Sequence, residues 1–141
     1  MYATYFTCLE GSATKEGKEE YEQSLLQIKK DLYRTFPDHK AYQMTMAGTT
    51  DITQLKNILR AIVKRNPGIG YVQGMNFMVG SLFHHSCEAI AFWLFDILLN
   101  HYNLKKMYVK NLVGLQLHSK LIDNLIETKY PLIWAKMVTK F

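Results

Sequence analysis

Asp51-Ile52-Thr53-Gln54-Leu55-Lys56-Asn57-Ile58-Leu59-Arg60-Ala61-Ile62-Val63-Lys64-Arg65 carries apolar residues at 55, 58, 59, 62 and 63. That spacing gathers them on one face of a helix with 3.6 residues per turn and leaves the polar residues to the other faces. Thr49 or Thr50 supplies an N-cap oxygen, Asp51 suits the positive N-terminus of the helix, and Lys64 and Arg65 suit its negative C-terminus. Propensity, caps and charge therefore agree on one amphipathic helix.

The same period recurs on both sides. Before it, Tyr21, Leu25, Ile28 and Leu32 form an apolar stripe from Glu19 to Arg34, and Pro37 marks the end because Phe36 is pushed out of helical geometry. After it, the breakers Asn66-Pro67-Gly68-Ile69-Gly70 demand a turn, so Gln73 in Tyr71-Val72-Gln73-Gly74 sits on a tight, glycine-flanked connection. Phe77 to Phe83 is apolar enough for a buried helix. Ser86 is the expected cap of the next, running from Glu88 to about Asn100, whose Phe92, Trp93, Leu94, Phe95, Ile97, Leu98 and Leu99 leave little polar face and read as central. Helical periodicity returns from Leu115 to Ile126 and from Leu132 onward, with Pro131 suited to a first helical turn. No stretch alternates as a strand does. The expectation is an all-α, multi-helix chain.

With 141 residues, nearly half of them apolar, the chain has enough material for one sizeable core. Residues 1–141 read as one partial domain, with 1–18 a flexible lead and a helical core from about 19 to 141. The apolar pattern reaches Phe141 without a stop signal, so the domain is expected to be truncated at its C-terminus.

Charge narrows the function classes. Residues 1–40 hold six Lys/Arg against seven Asp/Glu, and residues 41–141 hold eleven against five. Lys105, Lys106, Lys110, Lys120, Lys129, Lys136 and Lys140 of the second part are scattered without an Arg-rich block, which reads as solvated surface and argues against nucleic acid. Cys8 and Cys87 are too few for a disulfide framework and lack metal-ligand spacing, so both are expected as free thiols. The N-terminus lacks the features of a signal peptide, and Ala89 to Leu99 is far shorter than the roughly 20 residues a membrane span needs.

Several motifs fail on spacing. Gly11 to Glu19 has five residues between its glycines where a phosphate loop has four, and Glu19 replaces the magnesium-binding hydroxyl; an exposed loop is expected there. The cluster Gly68 to Gly74 has the wrong final spacing for dinucleotide binding and follows a helix. The adjacent His84 and His85 point to different sides of a helix and have no third ligand nearby, so a helix-end role is expected. Asp31 and Arg34, three apart on one helix, are placed for a salt bridge. Gln73 beside glycine is, alone, an ordinary turn residue.

Together, however, Ile28-Lys29-Lys30-Asp31-Leu32-Tyr33-Arg34-Thr35-Phe36-Pro37 and Gly70-Tyr71-Val72-Gln73-Gly74-Met75-Asn76 resemble the two signatures of the TBC domain family of Rab GTPase-activating proteins. The first is similar to the arginine-finger motif, Ile-x-x-Asp-x-x-Arg, and the second to the glutamine-finger motif, Tyr-x-Gln-Gly-Met. Leu55 to Pro67 and Glu88 to Trp93 resemble the helices between and after the fingers. The resemblance covers most of residues 20–135. It departs at the ends: the family domain continues well past Phe141, and the Arg and Trp that commonly precede the first finger helix are not evident.

The resemblance implies a GTPase-activating protein that supplies catalytic residues in trans to a GTP-bound Rab GTPase. Arg34 would be the arginine finger and Gln73 the glutamine finger, with Asp31, Tyr71 and Gly74 in support. It implies no cofactor or metal site in this chain, since GTP and Mg2+ are carried by the partner, and no independent turnover. It also implies a cytoplasmic protein of vesicle trafficking, with peripheral recruitment to endomembranes through the partner. The alternatives are a non-catalytic Rab-binding or scaffolding domain, or a helical module that contacts nucleic acid or membrane through its lysines.

Overall fold

The computed structural model of the chain describes residues 15–35 and 51–139. Among these, the α-helices are α1 (Lys15–Leu32), α2 (Asp51–Arg65), α3 (Met75–His84), α4 (Glu88–Asn100), α5 (Val113–Lys129) and α6 (Pro131–Val138). Two 3₁₀ turns, Leu104–Met107 and Lys110–Leu112, precede α5, and no described residue is in a strand. The all-α expectation holds. The helices fall into two compact units, one reaching Asn103 and one beginning at Leu104.

In the first unit α2 packs against α1, α3 and α4, while α3 also touches α1 and α4. The five apolar residues that define the α2 stripe are all buried, joined by Ile28 and Leu32 from α1, Met75 and Val79 from α3, and Phe92, Phe95 and Leu99 from α4. Each such aliphatic or aromatic side chain contributes about 1.5 to 3 kcal/mol by leaving water.

Sequence pattern and structure part at several boundaries. Helix α1 begins at Lys15, so Lys15 to Glu19 is helical where a loop was expected. Lys15, Glu16, Lys18 and Glu19 are good helix formers, Glu16 lies in the favourable first turn, and Gly17 costs only about 1 kcal/mol. The same helix ends at Leu32, before Arg34. There the chain tightens: the N–H of Arg34 donates to the Asp31 carbonyl at 3.2 Å and that of Thr35 to Leu32 at 3.1 Å, both three residues back. The Thr35 hydroxyl donates to the same Asp31 carbonyl at 2.7 Å, a competing bond of the kind that bends or closes helices. Cys8, Gly11, Pro37, Thr49 and Thr50, on which other expectations rested, lie outside the described residues.

Ser86 does not cap α4. Its hydroxyl donates back to the Leu82 carbonyl at 2.7 Å, finishing α3, and the N-cap position belongs to Cys87, an exposed free thiol. His84 and His85 end α3 with their rings edge to face at 4.8 Å. Helix α4 is less central than its composition suggests: Ile90, Leu94 and Ile97 are exposed, because only the Phe92, Phe95 and Leu99 side meets the core. Similarly, Phe77 is exposed on the otherwise apolar α3.

In the second unit, α5 packs against α6 and against both 3₁₀ turns. Pro131 occupies the first turn of α6, where its missing N–H leaves no helical bond unmade. No helix among the described residues is long and apolar enough to cross a membrane.

Candidate functional site

Asp31 is fully buried in the last turn of α1, and a buried carboxylate must be supplied with hydrogen bonds. Three side chains supply them. The Arg34 guanidinium reaches Oδ1 through Nε at 3.0 Å and more closely through a terminal nitrogen, Gln27 donates to Oδ1 at 3.3 Å, and the Tyr71 hydroxyl donates to Oδ2 at 2.9 Å. The bond from Tyr71 spans 40 residues of sequence and ties the loop after α2 to the end of α1.

That loop is shaped by its glycines. Gly70 and Gly74 have φ of 66° and 102°, left-handed values that side-chain-bearing residues rarely adopt. A Cβ on Gly70 would also stand 3.2 Å from the Ser24 hydroxyl, which accepts the Tyr71 N–H at 3.1 Å. Between these two points the chain projects Gln73 outward, exposed, while Met75 anchors the start of α3 in the core. The Val72 N–H points to the Met75 sulfur at 3.5 Å.

Asn76 and Thr35 complete the arrangement, and neither drew a role from the sequence. Both are buried. The Asn76 amide donates to the Thr35 hydroxyl at 2.7 Å, and its oxygen accepts the Gly74 N–H at 3.1 Å. The Tyr71 hydroxyl lies 3.1 Å from that same oxygen, so its single proton faces two acceptors, the carboxylate and the carboxamide. Tyr71 is held well above the ordinary tyrosine range, chiefly by burial and next by its bond to the Asp31 carboxylate. It therefore stays a neutral donor throughout the physiological range.

The five residues singled out from the sequence are thus brought to one place: Arg34 and Asp31 at the end of α1, and Tyr71, Gln73 and Gly74 in the turn before α3. The Arg34 side chain is 57% exposed above a carboxylate that is 1% exposed. A buried polar platform carries an exposed arginine on one turn and an exposed glutamine on the other. Chemically, such a pair offers permanently charged planar donors beside a carboxamide that both donates and accepts.

The Rab-GTPase-TBC domain family matches residues 8–140. The chain belongs to that family. It is 36% identical over 111 residues to growth hormone-regulated TBC protein 1 of Homo sapiens, covering 78% of this chain and 32% of that protein. It is 33% identical over 120 residues to the GTPase-activating protein GYP3 of Saccharomyces cerevisiae, covering 83% of this chain and 19% of GYP3. It is also 31% identical over 124 residues to TBC1 domain family member 2B of Xenopus tropicalis, covering 88% of this chain and 13% of that protein. This TBC-domain chain therefore spans a third or less of the curated relatives it matches.

Sequence alone could have flagged two of the missed residues, Ser24 and Asn76, by one signal: polar side chains at positions where helical period demands apolar ones. Ser24 sits four residues before Ile28 on the buried face of α1, and Asn76 lies between Met75 and an apolar run.

Proposed function

We propose that this TBC domain accelerates GTP hydrolysis by a GTP-bound Rab GTPase, inserting Arg34 and Gln73 into the partner's nucleotide site. The observation that carries the reading is the exposed Arg34 and Gln73 held on one buried polar platform. Family membership and the GTPase-activating name of GYP3 support it.

In the hydrolysis of GTP, charge accumulates on the phosphoryl oxygens, and an arginine finger that meets it raises the rate by roughly 10³ to 10⁵. Arg34 meets that charge. Two of its N–H groups bond Asp31, which restrains the side chain before the partner arrives and so lowers the entropy lost on docking. Gln73 holds the attacking water in line, standing in for the GTPase's own glutamine. Asp31, Tyr71 and Gly74 act through these two, by holding the guanidinium and shaping the turn. GTP and Mg2+ belong to the partner, and the chain works from the cytoplasm in vesicle trafficking, reaching endomembranes through the Rab it binds.

The deciding test is a screen of GTP-loaded Rab GTPases for stimulated phosphate release, with Arg34→Ala as control. Stimulation of at least one Rab by the wild type, with loss of about 10³-fold or more in folded Arg34→Ala, is expected. Full stimulation by folded Arg34→Ala removes the finger role. Tight binding of a Rab without any stimulation supports a scaffolding domain instead.

A further inference from the structure

Building on the finger reading, we propose that Asn76 is a positioning residue that sets the spacing and angle between the two fingers. Its carboxamide touches both finger-bearing turns at once. Nδ2 donates to the hydroxyl of Thr35, the residue after Arg34, and Oδ1 accepts the N–H of Gly74, the residue after Gln73.

Chemistry makes the amide specific to this place. The Thr35 hydroxyl gives its proton to the Asp31 carbonyl, so toward Asn76 it can only accept, and it needs a donor. On the other side the Gly74 N–H is a donor and needs an acceptor. A carboxamide supplies one of each from a rigid plane. A carboxylate of the same shape would oppose two acceptors across 2.7 Å and bring a second negative charge beside buried Asp31. Asn76 is itself 1% exposed, so no water replaces a missing bond.

Each finger residue is joined by one peptide link to the residue that holds its end of this bridge. A slip of the bridge therefore changes where one finger stands relative to the other, and misplacement of about 1 Å costs roughly 100-fold in rate. The partner surface that Arg34 and Gln73 present is otherwise unchanged, so recognition survives.

The experiment follows single-turnover GTP hydrolysis by a responsive Rab over a range of chain concentrations, separating kcat from KM. It compares wild type with Asn76→Asp, Thr35→Val and Thr35→Ser, with Arg34→Ala as control, and records melting temperature and the Gly74 amide NMR shift for each. Asn76→Asp and Thr35→Val are expected to lower kcat about 10- to 100-fold with KM within about threefold. The Gly74 amide should move in Thr35→Val, although the substitution lies on the opposite turn. Thr35→Ser keeps the hydroxyl and rescues kcat to within about twofold of wild type. If Asn76→Asp does not fold, the contrast between Thr35→Val and Thr35→Ser decides alone. Full kcat with an unmoved Gly74 amide in Thr35→Val overturns the inference and leaves the fingers standing. A loss of activity that merely tracks melting temperature also overturns it, and a fully active Arg34→Ala takes down the finger reading and this inference together.

Discussion

Two arginine-aspartate pairs lie in the same helical unit and leave their arginines in different surroundings. Arg34 pairs with Asp31 within one turn, and Arg65 pairs with Asp96 across 31 residues at 2.7 Å. Both carboxylates are buried, with side chains 1% and 8% exposed, but Arg34 remains 57% exposed and Arg65 only 31%. Arg65 also lies against the Trp93 ring at 5.3 Å, and Asn100 donates to the same Asp96 oxygen at 2.9 Å. The Arg65 guanidinium closes the contact between α2 and α4, whereas that of Arg34 is held at one edge and exposed to solvent at the other. The pairing chemistry is shared; burial of the cation separates a structural link from a poised group.

The largest effect should come from exchanging the arginines for lysine one at a time. Arg34→Lys loses about 10³-fold or more of Rab stimulation, since a point charge cannot reproduce the planar donors, yet its melting temperature stays near wild type. Arg65→Lys should do the reverse, leaving stimulation per folded molecule intact. If both substitutions act on stability and neither on hydrolysis, the contrast between the pairs collapses.

Gln73→Ala sharpens the poised side further. Against a Rab whose own glutamine is changed to Leu, the wild-type chain should still stimulate and Gln73→Ala should fail, in a phosphate-release assay. Stability should shift by no more than about 0.5 kcal/mol, because the side chain is exposed. Equal stimulation by both chains takes Gln73 out of the mechanism.

A smaller effect is expected from Arg65→Ala, which removes the cationic partner of buried Asp96 and leaves it only the neutral amide of Asn100. Loss of a fully buried partner costs 3 to 5 kcal/mol, and the partial exposure of Arg65 brings this to roughly 2 kcal/mol, or several degrees in Tm by calorimetry. The matching Arg34→Ala should cost under about 1 kcal/mol, since Gln27 and Tyr71 still serve Asp31. Comparable losses from the two substitutions would make Arg34 a structural residue too.

Tyr71 gives the smallest and most diagnostic change. Its folded value lies above the ordinary tyrosine value of about 10, so its contribution to stability is complete below about pH 10 and is lost as pH rises beyond it. Denaturant midpoints of wild type should therefore fall faster above pH 10 than those of Tyr71→Phe. Parallel curves would mean that the phenol proton is not tied into the platform.

The legible residues of the site were those inside the two motifs, buried Asp31 included. Arg34 and Gln73 stand in short local motifs, and local motifs are what a single sequence displays. Thr35 and Asn76 escaped because they are each other's partners across 41 residues, and Ser24 because the Tyr71 N–H that it accepts lies 47 residues away. Helix identity was legible for the same reason that α2 was: a 3.6-residue repeat is written in neighbouring positions. The end of α1 at Leu32 and the cap of α4 at Cys87 were not, because side-chain bonds from Thr35 and Ser86 turn back into the preceding helices; the span of α4, Glu88–Asn100, is the one the sequence predicts.

By itself, then, the sequence determined the helices, the apolar face of α2 and the two motifs, all of which follow from interactions a few residues apart. Tertiary structure decided that Asp31 would be buried, that Tyr71 and Asn76 would close over it, and that Arg34 would remain exposed while Arg65 would not. The reason is burial, which depends on what the rest of the chain lays over a residue. Two arginines with the same side chain and the same kind of partner acquire different exposure only once the helices have packed.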